Sequence, residues 1–151
     1  MTNVVDFQTT LPLIWHQKLK ILNLSGNNLT SITFISHLDN LEFLNLNYNR
    51  LTYIPELACS STLKELCLTH NKLPHVSNLN RLTELSLLDV SFNQLNSYED
   101  LSNLSLNKKL KVLNLTGNPI TTRAFYKGTL SSILSHISGL DVFDPVELEI
   151  V

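Results

Sequence analysis

The chain has 151 residues, of which 43% are hydrophobic, and its 11 Lys+Arg against 13 Asp+Glu give a net charge of −2. That length suits one domain that buries a core without disulfide or metal staples, and only 4 Gly and 5 Pro exclude a disordered, low-complexity polymer. With no run of basic residues to neutralise phosphates and no 18 consecutive apolar residues, neither direct nucleic-acid binding nor a membrane span is expected.

The first segment, 1–18, begins Met1, Thr2, Asn3, Val4, Val5, Asp6 and shows no basic region ahead of an apolar stretch. The expectation is an unsecreted, cytoplasmic protein, with nucleus or cilium as alternatives. Two cysteines without a cysteine-rich flank fit a reducing compartment. Leu11, Ile14 and Trp15 are placed as an N-terminal cap, a short helix or turn covering the apolar residues that begin at Leu19.

From residue 19 the chain repeats itself. The segments LKILNLSGNNL (19–29), LEFLNLNYNRL (41–51), LKELCLTHNKL (63–73), LSLLDVSFNQL (85–95) and LKVLNLTGNPI (110–120) share the template L-x-x-L-x-L-x-x-N-x-L. Asn27, Asn49, Asn71, Asn93 and Asn118 hold one place in it, and Ile32, Ile54, Val76 and Tyr98 come at a further apolar place. The central L-x-L alternates with period two, so its leucines face one side and the residues between them the other. Stacked segments then make a parallel sheet, since no single repeat buries its leucines alone. A short side chain with both a donor and an acceptor, such as Asn, can satisfy backbone groups where the chain turns sharply inside each coil.

The connectors carry Ile35 and Leu38, Leu57, Leu79 and Leu82, and Leu101 and Leu104 as an outer apolar wall. In the second repeat Ser60 interrupts that wall, and Cys59 beside it is expected to turn inward. The fourth connector has three extra residues in SNLSLNKKL, read as a bulging outer loop with Lys108 and Lys109 in solvent. Beyond the last repeat, Leu130, Ile133, Leu134 and Ile137 have helical spacing, with Thr121 or Thr122 as N-cap, Gly139 as a stop and Pro145 against continuation.

These segments resemble leucine-rich repeat proteins of the intracellular 22-residue class. The resemblance implies an α/β solenoid: a right-handed superhelix with a parallel β-sheet on the concave face and short helical or 3-10 connectors on the convex face. The domain division is an N-terminal cap at 1–18, five repeats starting at 19, 41, 63, 85 and 110, and a C-terminal helical cap at 121–151. Asn118, Pro119, Tyr126, Leu140 and Asp141 match places in the cap of that class, where Lys127 stands in place of its usual Arg. Members of the class include a regulatory subunit of a type-1 phosphatase, an axonemal dynein light chain and a spliceosomal protein. The implied partner is therefore a protein, such as a phosphatase catalytic subunit or a cytoskeletal, axonemal or ribonucleoprotein component, bound by a monomer.

Outward strand residues at template positions 2, 3, 5, 7 and 8 would tile the concave face. Phe43, Asn45, Tyr48, Glu65, Cys67, His70, Leu87, Asp89 and Phe92 are the candidate docking residues, since aromatic and apolar anchors beside a few charges are the composition of an interface hot spot. Packing of Tyr48 and Phe92 on their own neighbours is the competing role. Cys59, Cys67, His70 and His75 cluster in sequence, yet C-x7-C-x2-H-x4-H is no zinc spacing, and the repeat phase sends Cys67 and Cys59 to opposite faces. No metal or other cofactor is expected. Sequons at Asn23, Asn28, Asn103 and Asn114 arise from the template's own spelling. No phosphate loop, GxSxG or HExxH occurs, which leaves Cys67 and His70 as the one pair resembling a nucleophile and base. The reading is a non-catalytic interaction scaffold or regulatory adaptor. The alternatives are a positioning domain excised from a larger protein and a thiol- or metal-dependent enzyme using Cys67 and His70.

Overall fold

A computed structural model describes residues 17–135, 137 and 139–143. The N-terminal cap residues Leu11, Ile14 and Trp15, and Pro145, lie outside the described residues. Each template contributes one three-residue strand: β1 (Ile21–Asn23), β2 (Phe43–Asn45), β3 (Glu65–Cys67), β4 (Leu87–Asp89) and β5 (Val112–Asn114). A sixth, β6 (Asp141–Phe143), comes after the C-terminal helix, and the six form one parallel sheet in chain order.

The register is that of the template. Leu22, Leu44, Leu66, Leu88, Leu113 and Val142 stand opposite one another across successive strands. Just past each strand, the next leucine donates its N–H to the following coil: Leu24 to Asn45 O at 2.8 Å, Leu46 to Cys67 O at 2.8 Å, Leu68 to Asp89 O at 2.7 Å. Leu44, Leu46, Leu66, Leu68, Leu88, Leu113 and Leu115 are all fully buried, which is why the alternation L-x-L specifies the strand so firmly.

The asparagine column does what its chemistry allows. Asn71 accepts the Leu51 N–H (3.0 Å) on Oδ1 and donates from Nδ2 to Leu46 O (3.0 Å) in the preceding coil and Leu68 O (3.1 Å) in its own. Asn49, Asn93 and Asn118 repeat the pattern. Each amide thus closes its own turn and ties two coils together, satisfying backbone groups that the apolar interior would otherwise strand.

The connectors on the convex side are 3-10 turns η1 (Thr33–Ile35), η2 (Ala58–Ser61) and η3 (Ser77–Arg81), and then helix α1 (Tyr98–Leu104). Ile35, Leu38, Leu57, Leu79, Leu82, Leu101 and Leu104 are buried beneath them, and Cys59 turns inward beside Ser60 at 1% exposure. The fourth connector is not a bulging loop. Its three additional residues lengthen the turn into a full α-helix, capped by Ser97 Oγ accepting from Glu99 N at 3.2 Å. Asn107 then anchors the return, donating to Leu79 O (2.8 Å) and Leu82 O (3.0 Å) from complete burial. Lys108 and Lys109 are exposed as expected, Lys109 pairing with Glu84 at 2.6 Å.

At the C-terminal end Thr121 and Thr122 belong to a 3-10 turn, η4 (Pro119–Thr122), rather than capping a helix. Helix α2 (Tyr126–Leu134) starts after Phe125, which has φ 63° and offers no side-chain cap. Tyr126, Leu130, Leu134 and Ile137 are buried over the last coil, and Gly139 at φ 70° reverses the chain into β6.

Candidate functional site

The concave face is built from residues that alternate with the buried leucines. One row along it reads Ile21, Phe43, Glu65, Leu87, Val112 and Asp141, each directly opposite the next in register. Phe43 and Leu87 are half-buried and flank the exposed Glu65. The next row, two residues further along each strand, reads Asn23, Asn45, Cys67, Asp89 and Asn114.

This second row sets the turns. Asn23, Asn45, Asp89 and Asn114 each accept, through a side-chain oxygen, the N–H two residues on, at 2.9–3.1 Å. Cys67 has no such oxygen. There Thr69 N–H is taken instead by Asn47 Oδ1 of the preceding coil at 2.9 Å, so the exception is repaired by a neighbour. The Cys67 thiol is pushed up from its ordinary range by burial first, then by the charges of Asp89 and Glu65. Both carboxylates therefore act on one point of the face.

The third row is Gly26, Tyr48, His70, Phe92 and Gly117, and every member has positive φ: 70°, 56°, 55°, 51° and 70°. Left-handed backbone is the territory of glycine, and three aromatic rings occupy it here. They stack. Tyr48 and His70 lie 4.6 Å apart between centroids at 19°, and His70 and Phe92 4.5 Å apart at 22°. The column remains in solvent, with Tyr48 59% and Phe92 47% exposed. Packing on neighbours and exposure to a partner are thus both properties of these rings. Phe92 closes one end by lying on Gly117, where a Cβ would come within 2.5 Å of its ring, whereas a Cβ at Gly26 would meet nothing within 4 Å.

A hydrogen-bonded chain orients the central ring. Asp89, as a carboxylate, only accepts, so Ser91 Oγ donates to it at 2.6 Å. The Ser91 proton is then engaged, and Thr69 Oγ1 donates to Ser91 Oγ at 2.7 Å. Thr69 Oγ1 is left to accept from His70 Nδ1–H at 3.1 Å, which makes Nε2 of neutral His70 the acceptor. Asn114 Nδ2 donates to the other oxygen of Asp89, Oδ2, at 3.2 Å.

The four sulfur and imidazole groups separate as the repeat phase predicts. Cys59 sits in η2 under the convex wall, its thiol pushed up to about 11 by burial, and Cys67 sits in β3 on the concave face. His75 projects from the convex side and meets Asp100 Oδ2 at 3.1 Å. Asp100, on α1, is buried and also accepts Val76 N–H at 3.1 Å. Sequence reasoning passed over Asp100. An acid within an otherwise apolar helical face, one coil from a histidine, was the available signal. Among the described residues no three His, Cys, Asp or Glu side chains gather around a common point.

All nine candidate residues therefore share one open surface, with the rows Phe43/Glu65/Leu87, Asn45/Cys67/Asp89 and Tyr48/His70/Phe92 side by side. No hydrogen bond joins Cys67 to His70, whose Nδ1 is engaged by Thr69.

Comparison with known proteins places this architecture. The profile of the family described as Leucine Rich repeats (2 copies) matches residues 17–59, and that of a single Leucine Rich repeat matches 106–123. No curated protein matches the chain in sequence. Among solved structures, an internalin C2 from Listeria monocytogenes is similar with a TM-score of 0.68 at 26% identity, over 83% of this chain and 51% of that one. The Drosophila melanogaster SNF/U2A' complex contains a chain similar at TM-score 0.64 and 23% identity, over 78% of this chain and 69% of that one. A second internalin (inlF) from Listeria monocytogenes is similar at TM-score 0.58 and 19% identity, over 84% and 47%. The chain spans about half the length of the internalins that it matches (51% and 47%). With five template repeats, six in-register parallel strands and these likenesses together, the chain carries leucine-rich repeats and has the fold of a leucine-rich repeat solenoid.

Proposed function

We propose that the chain is a non-catalytic interaction scaffold that docks a protein partner on its concave face, with Phe43, Tyr48, Glu65, Leu87, Asp89 and Phe92 as the contact set. One observation carries the reading: aromatic and apolar side chains stay wholly or partly in solvent on a sheet whose central leucines, Leu44, Leu66, Leu88 and Leu113, are fully buried. Such a face gains by covering Tyr48, Phe92, Phe43 and Leu87. The likeness to a chain of the SNF/U2A' complex supports a protein partner in general.

The chemistry of the face favours docking over turnover. The Cys67 thiol is held protonated by burial and by two carboxylates, the reverse of what a nucleophilic cysteine requires. A regulatory role and a cytoplasmic or other reducing intracellular setting, which two free cysteines favour, belong to the same proposal. Among the described residues no helix is long and apolar enough to cross a membrane.

The test is the double substitution Phe43→Asp with Leu87→Asp, both on solvent-facing strand positions, with affinity capture and mass spectrometry as the readout. With circular dichroism and thermal unfolding unchanged, loss of the wild-type partners is expected. Retention of the same partners by the folded variant overturns concave docking.

A further inference from the structure

The carboxylates of this chain are handled unequally. Glu42 lies between Lys20 at 2.8 Å and Lys64 at 2.7 Å, Glu84 holds Lys109 at 2.6 Å, and Glu56 pairs with Arg81. Asp100 is satisfied by Val76 N–H and His75. The Glu65 carboxylate, at the centre of the concave sheet, has neither an ion-pair nor a hydrogen-bond partner among the described residues. It stands between Phe43 and Leu87, two half-buried apolar side chains directly opposite it in register.

Asp89 lies one strand across and two residues along from Glu65. From a strand spacing of ~4.8 Å and a rise of ~3.3 Å per residue, the two Cα positions are roughly 8 Å apart. Beside them are Cys67, whose thiol stays neutral, and the rim formed by His70, whose Nδ1 is engaged by Thr69. The centre of the face therefore offers acceptors and negative charge, walled by apolar and aromatic side chains, and none of its three described rows contributes a Lys or Arg there. Its margins carry an excess of basic residues: Lys20, Lys64 and Lys111 border it on one side, the first two sharing Glu42 between them, and Arg50 and Lys72 on the other.

Resting on the concave-docking reading, we infer that the partner segment carries one arginine between apolar residues, its guanidinium seated between Glu65 and Asp89 and its apolar neighbours on Phe43 and Leu87. Arginine suits this place better than lysine. A planar fork of five donors can serve the open Glu65 carboxylate together with Asp89 Oδ2, which only Asn114 engages, and its weakly hydrated face tolerates the adjoining aromatic column. A polybasic segment fits poorly, because its other charges would meet the lysines and arginine of the margins.

A random peptide display library, selected on the intact wild-type chain and counter-selected on the folded Phe43→Asp/Leu87→Asp variant, tests this. Enriched peptides are expected to share a single Arg flanked by apolar residues. The best of them should bind Glu65→Arg about tenfold or more weakly, and a peptide with Arg replaced by Glu should recover on that variant. Concave-dependent peptides that lack a basic residue, or that bind Glu65→Arg as tightly as wild type, overturn the arginine pocket and leave concave docking standing. An absence of any peptide sensitive to the counter-selection overturns both.

Discussion

His70 shows how a single residue can be held in a conformation that it does not favour by itself. A non-glycine residue in left-handed backbone costs about 1–2 kcal/mol, and the ring stack and the Thr69 hydrogen bond are what His70 gains in exchange. The two contributions can be separated by substitution. His70→Ala loses both stacks and keeps the unfavourable φ, whereas His70→Gly loses the stacks and relaxes the backbone, so urea unfolding should find the Gly variant about 1 kcal/mol more stable than the Ala variant. The repeat template carries no sign of this. It marks the position as outward-facing, and only the glycines at Gly26 and Gly117 in the same column hint at positive φ.

At the scale of single elements, α1 is where the repeat departs from itself. Tyr98, at a place that Ile32, Ile54 and Val76 fill as buried side chains, stays half-buried and opens a helix in place of a 3-10 turn. Asp100 within that helix reaches back one coil to Val76 N–H and His75, tying α1 to the preceding connector. Asp100→Ala should leave a buried N–H without an acceptor and lower stability by about 1–3 kcal/mol in denaturant titration, while Asp100→Asn, which keeps the acceptor, should cost less. The five strands, their register and the leucine columns were legible because period-two alternation and a 22-residue spacing, lengthened by three residues only before the last repeat, repeat the same statement many times. The helix, Asp100, Asn107 and β6 were not. Each occurs once, and a solitary buried polar group or a three-residue edge strand has no second copy in the sequence to announce it. The concave rows were legible as rows, but the ring stack and the Asp89–Ser91–Thr69–His70 chain depend on rotamers that spacing does not encode.

Across the whole molecule, coupling runs from each coil to the next. The ion ladder Lys20–Glu42–Lys64 spans three strands, and its two lysines hold the Glu42 carboxyl down at about 2 from an ordinary 4.5. A depressed folded-state value means stability that is complete above about pH 4.5 and is lost as the pH falls toward about 2. Glu42→Gln should therefore unfold like wild type less its ladder at neutral pH and show a flatter loss of thermal stability between pH 4.5 and pH 2, read by acid-dependent melting curves. The effect should shrink in high salt, since all three side chains are substantially in solvent.

The aromatic column also has unlike ends. Phe92 lies flat on Gly117, so nothing more can be added there, while beyond Tyr48 the space over Gly26 is open. A parallel sheet of near-identical strands offers little to distinguish a partner laid across it in one direction from the same partner reversed. A column with a sealed tail and a vacant head removes that ambiguity: a planar side chain can extend the series only from the β1 side, and the face acquires a polarity that its repeats alone do not have.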